Sequence, residues 1–321
     1  MSYFRNGRIG APSLQAVMLG LTLALAAFSG SASADQVVMP TRQKLAISAA
    51  PEHAAAAPNG VTAIAGEVVD MNGAGLPGVM IAEGSQSVVT KADGRFLLTY
   101  AIPGKGVLQI DGRAAGAKRA DHGLYQVAVD AAPGKTTVLP FKSWLPVIDH
   151  AHDIAIQNPT PGPIVITNPA LPGVEIRIPA GVVIRDADGA PVKSIGITPL
   201  PAGKWPVPPP QYLDASASFT VQPGASCLYD AQGGVGVAQV VVPNSANRAP
   251  KARVQFFRYE PDAGGWRGYG GGSVSADGKT ILPDAATVLT DFASAECDPK
   301  TKSRPAPAQR IPVWIPGSQQ Q

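Results

Sequence analysis

From Val61 onward the chain is broken repeatedly by turn signals. Asn72-Gly73, Glu83-Gly84, Ala92-Asp93-Gly94, Pro103-Gly104 and Pro133-Gly134 punctuate its first half, at intervals of about eight to twelve residues or so, the spacing of an all-β sandwich. Glycine supplies positive φ and proline presets φ, so each is a turn with a mechanism. Between the turns lie short apolar runs at 61–69, 78–82, 87–90, 95–100, 107–110, 124–129 and 136–139. No amphipathic helical period interrupts them. A strand of this kind hides one face at a time, so two packed sheets are the expected solution. Alternation puts Phe96 and Leu98 on one face, and Val127 and Val129 on another. Val68, Val79, Phe96, Leu98, Leu108 and Val127 are the expected core.

Composition supports this and narrows the function. The 321 residues include 35 glycines and 32 prolines, too many for a helical bundle. They show no Gly-X-Y period, which excludes collagen. A hydrophobic fraction of 45% argues against global disorder. There are 26 basic and 23 acidic residues. Residues 1–34 read as a secretory signal. Arg5 and Arg8 form the basic end, 16–28 the apolar stretch, and Ala32-Ser33-Ala34 the cleavage site. Removing Arg5 and Arg8 leaves 24 basic residues against 23 acidic ones. A balance that even gives no electrostatic case for nucleic acid or anionic membranes. The apolar stretch is short for a span, so no stable membrane insertion is expected after cleavage. The expected location is the periplasm or the cell exterior.

Residues 35–60, rich in alanine with Pro40, Pro51 and Pro58, read as a flexible linker. The first sandwich is expected over 61–142 and a second β-rich domain over 143–297, with hairpin turns at Asp188-Gly189 and Asp277-Gly278. A Pro-rich tail occupies 298–321. Export places the chain in an oxidising compartment. Its two cysteines, Cys227 and Cys297, are expected to pair, the alternative being two free thiols. The bridge would close a loop of about 70 residues, worth on the order of 4 kcal/mol in the chain-entropy account.

Gly66-Glu67-Val68-Val69-Asp70, Asn72-Gly73, Leu76-Pro77-Gly78-Val79, Thr90-Lys91-Ala92-Asp93-Gly94-Arg95-Phe96 and Pro103-Gly104 form one ordered pattern. It resembles the carboxypeptidase regulatory-like domain, a small transthyretin-type sandwich. That resemblance implies an accessory module without catalytic residues. The second region carries Trp144-Leu145-Pro146, Ala151-His152-Asp153, Pro172-Gly173-Val174, Pro179-Ala180-Gly181, Gly265-Trp266-Arg267-Gly268-Tyr269 and Ile281-Leu282-Pro283-Asp284. It resembles the segment ahead of the repeats in bacterial RHS/YD-repeat proteins, and 179–184 is similar to the ZU domain, an all-β interaction module. No YD-type repeat or toxin is present in the chain.

The sites compete with plainer readings. On a strand, His150 and His152 would share a face and offer two imidazoles to one metal, but no third ligand is signalled. Asp186-Ala187-Asp188-Gly189 starts like a calcium loop, yet its twelfth position is Ile197, where the loop requires a glutamate. No serine sits in a Gly-x-Ser-x-Gly elbow. Trp205 begins a proline-rich stretch ending at Tyr212 that reads as stiff polyproline II. With Trp266 and Tyr269 these aromatics make a possible ligand surface. The leading reading is an exported, non-enzymatic interaction or structural module without cofactor, its partner a protein or a cell-surface glycan. A carbohydrate-binding or adhesion module using the aromatic hairpin is the alternative, and a metal-assisted hydrolase at His150 and His152 a second one. The exported protein should begin at Asp35, and mass spectrometry of its N-terminus checks this; retention of Met1 would refute it.

Overall fold

A computed structural model describes residues 50–51, 54–116, 120–210 and 217–292. The segment expected to be a secretory signal, most of the expected linker, the C-terminal tail, Tyr212 and Cys297 lie outside the described residues. The expectation of an all-β chain holds. The first region comprises β1 (Ala63–Val69), β2 (Met80–Glu83), β3 (Gln86–Val89), β4 (Arg95–Thr99), β5 (Gly104–Asp111), β6 (Leu124–Ala131), β7 (Thr136–Val138) and β8 (Ser143–Trp144). The second comprises β9 (Ile154–Ala155), β10 (Ile164–Ile166), β11 (Glu175–Ile178), β12 (Val183–Arg185), β13 (Ser194–Pro199), β14 (Phe219–Gln222) and β15 (Ser226–Tyr229). It continues with β16 (Gln239–Pro243), β17 (Arg253–Glu260), β18 (Gly265–Val274), β19 (Thr280–Pro283) and β20 (Asp291–Phe292).

Two four-stranded sheets face each other in the first region. One runs β3-β2-β5-β6. The other runs β4-β1-β7, with β8 also on β1. β1 is antiparallel to β4 and parallel to β7 and β8. It is buried at every position, which its small residues allow. A Cβ on Gly66 would stand 2.7 Å from the Phe96 ring, so only glycine lets that ring lie against the strand. All six expected core residues are buried, Phe96 at 2% exposure and Leu98 at 1%. Leu145 joins the same cluster, so this core reaches past the expected boundary at residue 142.

The motif residues that carry the family resemblance build turns. The Thr90 hydroxyl donates to Leu76 O at 2.7 Å and accepts from Val79 N at 2.9 Å, clipping the Leu76–Val79 stretch to the end of β3. Asp70 Oδ1 accepts from Asn72 N and Ala74 N at 2.8 and 3.0 Å. The same aspartate-headed turn recurs at Asp186, which accepts from Asp188 N and Ala190 N, and at Asp230, which accepts from Gln232 N and Gly234 N. The calcium-like tetrad is thus a tight turn, closed by Gly189 at φ +80°.

The second region holds a six-stranded sheet, β10-β11-β16-β19-β18-β17, and two three-stranded sheets, β12-β15-β20 and β14-β13-β9. Ile166, Ile176, Ile184, Ile195, Leu228 and Phe292 fill its main core. A smaller cluster of Phe256, Val274 and Ile281 sits at the β17 end. The adjacent phenylalanines Phe256 and Phe257 straddle an irregularity in the β17–β18 register. Phe256 is buried and Phe257 half-buried. Arg258 ties β17 to β20 through Asp291 at 2.8 Å while also gripping Glu260. Cys227 on β15 is disulfide-bonded; its expected partner, Cys297, lies outside the described residues.

Truncating a fully buried ring loses transfer energy and leaves a cavity. Phe96→Ala is therefore expected to cost about 3–5 kcal/mol in chemical denaturation, and Phe257→Ala less, since that side chain is only partly buried.

Candidate functional site

The chemistry-bearing side chains gather where the two regions meet. More than the chain connection at 141–144 joins them. Lys204 Nζ donates to Met71 O at 2.7 Å and lies 5.4 Å from the Trp144 ring centroid. Trp144 N donates to Trp205 O at 3.1 Å. Val207 packs against the first core. Ala128 N, on β6, donates to the Tyr259 hydroxyl at 2.8 Å. Ile148 N donates to Asp121 O at 2.8 Å.

Residues 150–152 form one turn of 3-10 helix capped by Asp149, so the strand geometry on which the shared-face metal reading depended is not there. Successive residues then rotate by about 120°, so His150 and His152 diverge where a strand would align them. His152 Nδ1 meets Asp149 Oδ2 at 2.6 Å. The Asn168 amide, donating to Asp149, is the largest cause holding that carboxyl below its usual value, and the His152 ring adds to it. His150 reaches both ways. Its Nδ1 is 2.8 Å from Asp153 Oδ2 and its Nε2 is 2.9 Å from Asp121 Oδ2. Both ring nitrogens are thus already engaged by carboxylates. Among the described residues no group of three His, Cys, Asp or Glu could hold a metal ion. The hydrogen bond to Asp153 is the largest cause raising the His150 pKa above 6.5, with Asp121 adding and partial burial opposing.

A cleft of about 220 Å³ opens beside this ring, lined by Arg113, Asp121, His150, Asp153, Asp186 and Asp188 among others. Arg113 is held by its neighbour Asp111 in a two-point contact at 3.0 and 2.7 Å. Among the charged groups of the lining, carboxylates therefore outnumber cations.

The expected aromatic ligand surface is not an open platform. Trp205 is only 4% exposed, because its segment runs into the seam. Trp266 stands edge-on to Tyr259, with ring centroids 5.8 Å apart, and donates its indole N–H to Pro208 O at 3.1 Å. Tyr269 packs against Phe256 at 5.9 Å, and burial pushes its hydroxyl pKa up to about 12. Tyr212 lies outside the described residues. Two partners escaped the sequence reading. Asp153 lies three residues after His150 in the chain. Asp121 lies 29 residues away, and no local signal joins the two.

No family model matches the chain, and neither does any curated protein. Among solved structures, one of a proposed carbohydrate binding protein from Bacteroides uniformis aligns at 13% identity. It covers 56% of this chain and 87% of that one, with a TM-score of 0.18. At that score the likeness carries no argument about fold or ligand. Among the described residues no helix is long and apolar enough to cross a membrane.

Tyr259→Phe removes the acceptor for Ala128 N and leaves that donor in the seam unpaired. A loss of about 1–3 kcal/mol is expected, read by thermal or chemical unfolding of the variant against the parent chain.

Proposed function

We propose that the chain is an exported, non-enzymatic interaction or structural module, two β regions locked at a polar seam. The observation that carries this reading is how the chemically capable side chains are occupied. His150 faces carboxylates on both nitrogens, His152 is held by Asp149, and Arg113 by Asp111. Lys204 and Tyr259 bind main-chain atoms across the seam. His150, Lys204 and Tyr259 hold one β region to the other, as the parts of a scaffold do. The resemblance to the pre-repeat segment of RHS-type proteins supports the same reading, as does the accessory character of carboxypeptidase regulatory-like domains. The partner is a protein or a glycan of the cell surface. A sugar site on the β17–β18 hairpin would have to use the outer edge of Trp266, since its N–H and its contact with Tyr259 are already engaged.

The purified chain, incubated with panels of peptide, ester and glycoside substrates, is expected to turn over none. Hydrolysis that disappears in His150→Gln would overturn the non-enzymatic reading. On a glycan array, binding abolished by Trp266→Ala would establish the carbohydrate alternative in place of a protein partner.

A further inference from the structure

His150 is an ionisable side chain in the seam that contacts a carboxylate from each region. Asp121 belongs to the segment between β5 and β6, and Asp153 to the segment entering β9. The ring satisfies both carboxylates only as an imidazolium, which donates from both nitrogens. A neutral ring has one N–H. Its other nitrogen would then turn a lone pair toward a carboxylate, which also offers only lone pairs.

We propose that His150 is a pH-sensitive clasp between the two β regions: protonated, it holds Asp121 and Asp153 together, and on losing its proton it releases one of them and loosens the seam. The charged groups around it favour the protonated form. From the first region Asp121 and Arg113 face the cleft, with Arg113 already matched by Asp111. From the turn after β12 come Asp186 and Asp188. From its own segment come Asp153, and beside it the Asp149–His152 pair. The cationic neighbours are thus paired, and the surplus is negative.

The sign follows from linkage. The folded-state pKa lies above the ordinary 6.5, so the clasp contributes fully below that value and is lost as pH rises through the raised one. Each unit of elevation corresponds to about tenfold in the closing equilibrium. The ring is 54% exposed, and solvent screening keeps the effect at the lower end. Remaining seam contacts hold the regions near each other after release, so the outcome is loosening and not separation.

The test follows the histidine ring by NMR on the purified chain with carbon-13-labelled histidine, from pH 5 to 9. His150 is expected to titrate above 6.5, and Asp121→Asn to move that midpoint back toward 6.5. Melting temperature is recorded over the same range. The parent chain should lose stability as His150 deprotonates, and that component should be missing from the pH profile of His150→Gln. The shape of the profile is compared, so a uniformly less stable variant still reports. Titration of His150 at or below 6.5, or an identical profile in His150→Gln, would overturn the clasp.

Discussion

β1 is buried along its whole length, and every backbone group it carries must therefore find a partner inside the protein. It takes β4 on one edge. On the other it takes two short parallel strands in succession, β7 beside Ala63–Ala65 and β8 beside Val68 and Val69. Parallel neighbours cannot follow from a tight hairpin, so the chain must circle the whole sandwich before it can close this edge. The closing strand β8 delivers Leu145 into the first core and Trp144 to the seam. Burial of one strand thus decides where the second region begins and which residues meet there.

The seam is polar because of what those residues are. Charged groups at a surface junction gain little individually, but here they are arranged in mutual pairs, and two main-chain groups, Met71 O and Ala128 N, are bound across the gap by Lys204 and Tyr259. The proline-rich segment after Trp205 contributes backbone carbonyls and one small apolar contact. Its prolines have no N–H to satisfy, so it lies along the seam without demanding a ladder of its own.

How much of this was legible in the sequence depends on distance along the chain. The inward face of β4 was readable, because the two-residue period of a strand puts Phe96 and Leu98 on one side. The turns headed by Asp70 and Asp186 were readable as turns, and the calcium reading failed at Ile197 for a reason visible in the chain itself. The His-Ala-His spacing misled, since alternation imitates a strand. Asp149, whose side chain accepts from Ala151 N, instead caps a single helical turn. Trp205 misled for the opposite reason. Its proline neighbours suggest exposure, while its burial arises from a meeting with the distant Trp144 backbone. Contacts such as Asp121 with His150 and Ala128 with Tyr259 have no local signature, because only the closed fold brings them together.

The parallel pairing of β1 with β7 and β8 also has a mechanical meaning. The first region is entered at the start of β1 and left at the end of β8, and these strands run in the same direction. Tension applied through the preceding and following chain pulls the two strands lengthwise past each other. The bonds from Leu139 N to Ala65 O and from Leu145 N to Val69 O, each 2.9 Å, then bear load together and cannot be opened in sequence like a zipper. A strand order in which β1 and β8 ran antiparallel would present the same hydrogen bonds to the same force one at a time.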